Sequence, residues 1–141
     1  MMRWLPLALL CALFLALADF FVKLASNRIS ASVGMFVYGV TTFLVAAGWV
    51  VYERVTGRPL LATAPGLWAS LGVGLAFSAV TTLLYVTFAR VNVSIGSPVI
   101  RLTGIVLASL LGILILREAV TWRYALGVAL AIAGVALIVL R

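Results

Sequence analysis

Five apolar stretches, each long enough to cross a lipid bilayer, fill almost all of this 141-residue chain and leave only short polar turns between them. A bilayer core about 30 Å thick needs about 20 mostly apolar helical residues to span it. The first stretch runs from about Trp4 to Ala25, the second from about Ser32 to Tyr52 and the third from about Leu67 to Ala89. The fourth runs from about Ile95 to Leu116 and the fifth from about Tyr124 to Leu140. None alternates with period two, which argues against a β-barrel. Helices are then the remaining way to satisfy the backbone in lipid. The expected fold is all-α: a polytopic membrane protein with five transmembrane helices, organised as one domain over 1–141.

Composition excludes a water-facing globule. Charged residues make up 9% of the chain, against about 25% in a soluble domain. Histidine is absent, so no imidazole can bind a metal or relay protons. No metal site, cofactor or enzyme signature is expected: there is no phosphate loop, no metal-ligand cluster and no nucleophile paired with a base. The lone Cys11 lies in an apolar run and reads as a small buried apolar residue. The net charge of +7 comes from Lys and Arg scattered at helix ends. That pattern serves headgroup contact and orientation rather than nucleic-acid binding. Arg3, an apolar run and Ala16-Leu17-Ala18 imitate a secretory signal with a cleavage site. The run continues through Phe20-Phe21-Val22, so an uncleaved first span is expected, and bulky Leu10 before Cys11 disfavours a lipoprotein box.

Five crossings place the termini on opposite faces. The face of the N-terminus holds Arg3, Arg54, Arg58, Arg117 and Arg123; the other holds Lys23, Arg28, Arg90 and Arg141. Basic residues set orientation, and five against four is a weak bias. The two expectations are one orientation with the N-terminus inside, or insertion both ways, which would allow an inverted pair.

Two charges interrupt the spans. Asp19 lies about six residues from the end of helix 1, and Arg101 about six residues from the start of helix 4, on the same membrane face. At 1.5 Å rise per residue, both sit about 9 Å below that face. An ionisable residue at such depth costs about 2.5–3.5 kcal/mol on insertion scales and usually marks a pathway. Three readings stand side by side. Asp19 can pair with Lys23, one turn on along the same helix face, as a structural device. Asp19 and Arg101, joined by Lys23, can line a polar cavity with Tyr85 and Ser97 beside them. Or the helix assignment is off and all of these residues lie at the surface. A cation beside Asp19 favours a fixed ion pair, or a charged substrate, over proton exchange at this acid. Pro98 reads as a helix-start proline. Gly96, Gly104, Ala108 and Gly112 in helix 4, and Gly127, Ala131 and Gly134 in helix 5, form small-residue stripes that permit close helix packing within one chain or between two.

Several segments together resemble a known family. They are Tyr85-Val86-Thr87-Phe88-Ala89, Ser94-Ile95-Gly96-Ser97-Pro98-Val99-Ile100-Arg101-Leu102, Leu114-Ile115-Leu116-Arg117-Glu118-Ala119-Val120-Thr121 and Gly127 through Ile138. They resemble the second half of an EamA domain of the drug/metabolite transporter superfamily, and Val22-Lys23-Leu24-Ala25 resembles that family's first-helix ending. Arg117 stands where the family pattern usually has glycine. Most members carry two such units in opposite orientation, so the resemblance implies a homodimer or a homologous five-helix partner in the cell (inner) membrane. It implies transport of a small molecule or lipid-linked substrate, with a lipid-linked sugar flippase subunit and a non-transporting scaffold subunit as alternatives. The chain is also similar to the small multidrug resistance proteins, which form antiparallel dimers. Their mid-helix glutamate falls near Leu15 here, with Asp19 one turn later, and this chain has an additional helix.

Overall fold

The structure is a computed structural model that describes residues 4–140. Five α-helices follow one another: α1 (Leu5–Ser26), α2 (Ala31–Val55), α3 (Ala64–Arg90), α4 (Val93–Leu114) and α5 (Trp122–Val139). All five are long and apolar enough to cross a membrane, and no strand occurs among the described residues. Large apolar side chains project outward from every helix: Leu7 is 69% exposed, Phe36 71%, Leu75 74%, Leu107 56% and Leu130 65%. In water, apolar surface of this extent would drive association; in acyl chains it is the solvated surface.

The helices begin and end where local chemistry dictates. Ser30 caps α2 by accepting from the Val33 N–H, and Thr121 caps α5 by accepting from the Tyr124 N–H. α2 runs one turn further than its apolar pattern predicts, and Glu53 stays helical because the Trp49 indole donates to its carboxylate four residues on. Gly57 then closes the helix with φ +70. Its N–H donates to the Arg54 carbonyl and the Arg58 N–H to the Glu53 carbonyl, the paired bonds of a Schellman ending. α3 starts at Ala64, so Pro65 lies in its first turn rather than in the loop. Proline is tolerated there, where an N–H has no helical partner anyway.

Two compact units make up the chain: Met1–Asp19 with Val91–Arg141, and Phe20–Arg90. In the first, α4 packs beside α5, and the buried positions are Asp19, Gly96 and Gly112. In the second, α2 packs beside α3. There Thr81, Leu84 and Phe88 are buried along one face of α3, and Gly34 is buried on α2. Of the basic residues that bear on orientation, Arg3 and Arg141 lie outside the described residues.

Candidate functional site

The first unit holds a buried ion pair. Asp19 sits seven residues before the end of α1, and Arg101 eight residues after the start of α4, about 11 and 12 Å along the helix axis from those ends. The Arg101 Nη2 donates to Asp19 Oδ1 at 2.7 Å and its Nε donates to Oδ2 at 3.3 Å. The Ser97 hydroxyl, one turn before Arg101 on α4, donates to the same Oδ2 at 2.5 Å. Both distances at 2.5–2.7 Å are in the range of charge-assisted bonds. The carboxylate is 1% exposed and the arginine side chain 34%. Asp19 is thus sealed and neutralised in place, while the guanidinium keeps one side open.

Pro98 adjoins this cluster. Because α4 begins at Val93, Pro98 is its sixth residue and not part of its first turn. A proline at this point has no N–H to give the carbonyl four residues back, that of Ser94. The helix-start reading of Pro98 is therefore corrected: the proline interrupts the hydrogen-bond ladder beside Ser97 and Arg101.

Lys23 and Tyr85 lie in the second unit. The Lys23 ammonium donates to the Phe88 carbonyl at 2.5 Å. Phe88 is in the last turn of α3, whose final carbonyls lack helical donors, so Lys23 acts as a cationic cap from another helix. Asp19 and Lys23 are one turn apart on α1, yet the acid bonds to Ser97 and Arg101. Tyr85 lies across Gly34: a Cβ built there would come within 2.6 Å of its Cε1 and 2.8 Å of its Cε2. No other residue type fits at position 34 unless the ring moves. Nothing in the sequence singles out Gly34, and only the α2–α3 pairing reveals its role.

The small-residue stripes meet varied surroundings. A Cβ built on Gly134 would meet the Leu102 methyl at 4.0 Å, so α5 faces α4 here. Gly104 and Gly127 have nothing within 4 Å of a modest side chain's first atom, and Ala108 is exposed. Gly112 is covered by the carboxylate of Glu118, whose N–H also donates to the Gly112 carbonyl. Between them the chain passes Arg117 at φ +55. This left-handed geometry favours glycine, the residue usual at this place in the resembled pattern, so Arg117 holds a conformation that costs a side chain.

Five helices long and apolar enough to cross a membrane, two of them joined by a buried ion pair, fit a polytopic membrane protein with a polar pathway. The chain belongs to the EamA-like transporter family, whose pattern matches residues 2–140, and so is a multi-pass membrane transporter of the drug/metabolite transporter type. Comparison with curated proteins and with solved structures finds no match.

Proposed function

We propose that this chain is a secondary transporter that moves a small metabolite or amphiphile by alternating access, working with a second five-helix unit in the cell (inner) membrane. The observation that carries the reading is the Asp19–Ser97–Arg101 cluster. Three polar side chains from two spans meet there, with the acid fully enclosed and the base partly open. A fold-only device at that depth has no need of an open cation, whereas a binding site does. Support for a second unit, a copy of this chain or a homologous partner, comes from the exposed small-residue faces at Gly104, Ala108 and Gly127. Such faces let helices of another unit approach closely in lipid. A flippase subunit for a lipid-linked sugar is the second reading, favoured by the same exposed guanidinium.

The test is Asp19→Asn. Membrane vesicles carrying the protein are assayed for flux of labelled amino acids, organic acids and amphiphilic dyes, alongside its oligomeric state in detergent. A transporter loses flux and keeps its assembly. A non-transporting subunit loses assembly or shows no change, and either result rejects the proposal.

A further inference from the structure

Arginine carries five N–H donors arranged around a planar fork, and it can present two different edges to an anion. Asp19 occupies one of them, the Nε/Nη2 edge, with one carboxylate oxygen on each nitrogen. The other edge, formed by Nη1 and Nη2, keeps three N–H groups with no partner among the described residues, the five donors less the two given to Asp19. Asp19 itself offers a ligand little: it is 1% exposed and bonded through both oxygens. Arg101 is 34% exposed. The pair is therefore asymmetric, with the acid as anchor and the base as receptor.

We infer that the free Nη1/Nη2 edge of Arg101 binds an oxyanion of the transported substrate, a carboxylate or a phosphate, while Asp19 and Ser97 hold the guanidinium in place. A planar fork matches two oxygens of such a group bidentately. Anchoring matters because a long arginine left alone in a membrane turns toward the interface. The Ser97 hydroxyl, bonded to Oδ2, fixes the carboxylate that fixes the arginine, so Ser97 is a positioning residue. This inference deepens the transporter reading by naming the substrate class, and it disfavours cations and neutral sugars without an acidic group.

The experiment uses the purified full chain in a neutral maltoside detergent at fixed ionic strength. Dodecyl phosphate, inorganic phosphate and dodecyltrimethylammonium are titrated by calorimetry. Dodecyl phosphate is expected to bind saturably and the ammonium amphiphile is not. Arg101→Gln should abolish the binding. Arg101→Lys, which keeps charge but loses the fork, should weaken it at least about tenfold. Arg28→Gln, in the turn after α1, should leave it unchanged. If inorganic phosphate competes, the ligand is a soluble oxyanion; if it does not, the acidic group is borne on an apolar tail. Equal binding of the two amphiphiles, or an unchanged affinity in Arg101→Lys, overturns the inference, and Arg101→Lys serves even if Arg101→Gln does not fold. Oxyanion binding without flux in vesicles would remove the transport reading and leave this one. Flux of cations alone, without oxyanion binding, would do the reverse.

Discussion

The two members of the Asp19–Arg101 pair differ sharply in burial, and that difference makes their substitutions unequal. Removing Arg101 strands a carboxylate that is 1% exposed; leaving a buried charge unpaired costs about 3–5 kcal/mol. Asp19→Asn leaves an arginine able to reach for the interface and loses hydrogen bonds to a charged group, about 1.5–3 kcal/mol. Arg101→Met is therefore expected to lower thermal stability in detergent more than Asp19→Asn does, and a scan of the two variants side by side checks the order. Arg117 supplies a second test. At φ +55, a non-glycine residue carries a penalty of about 1–2 kcal/mol. Arg117→Gly should preserve or raise stability, while β-branched Arg117→Val should lower it, read by the midpoint of thermal unfolding.

Among the elements, α3 depends on two contacts that its own sequence does not announce. Its last turn is capped by Lys23 from α1. Lys23→Met should speed hydrogen exchange of the amides near Phe88 and cost about 1–3 kcal/mol, the value of a hydrogen bond to a charged group. Lys23→Arg should recover part of the loss. The face of α3 that carries Tyr85 meets α2 at Gly34. Gly34→Ala forces the aromatic ring aside, and overpacking of this kind costs about 1–3 kcal/mol. Tyr85→Leu in the same chain should relieve most of that cost. A double-mutant cycle in thermal stability measures the coupling, and additive effects would mean that the ring and the glycine do not touch in the folded protein.

For the whole molecule, orientation is the open variable. Counted by alternating crossings of the five helices, Arg54, Arg58, Arg117 and Arg123 are expected on one face against Lys23, Arg28 and Arg90 on the other, four to three among the described residues. So small a bias is expected to yield to a single charge. Adding one Lys beside Arg28 should shift the population toward one topology, and removing Arg58 should shift it the same way. Compartment reporters on each terminus measure both shifts. A population that stays in one orientation through both changes would exclude an antiparallel pair of identical chains.

The number of spans, the absence of strands among the described residues and the placing of Asp19 and Arg101 well inside α1 and α4 were all legible in the sequence. Each follows from local rules: an apolar run sets a span, and a fixed rise per residue sets depth. Helix ends were less legible, because the glycine ending at Gly57 and the first-turn Pro65 are set by local backbone chemistry and not by hydropathy. The choice of partner for Asp19 could not be read along the chain. Lys23, four residues away on the same helix face, was as acceptable by spacing as Arg101, 82 residues away. Tertiary structure decided it, by bringing α4 to α1 in the first unit and giving Lys23 a carbonyl of α3 in the second. The same holds for Gly34 under Tyr85 and for the left-handed backbone at Arg117. Hydropathy acts through the count of apolar residues along the chain, whereas pairing, clash and turn geometry depend on which distant atoms folding brings within a few ångströms.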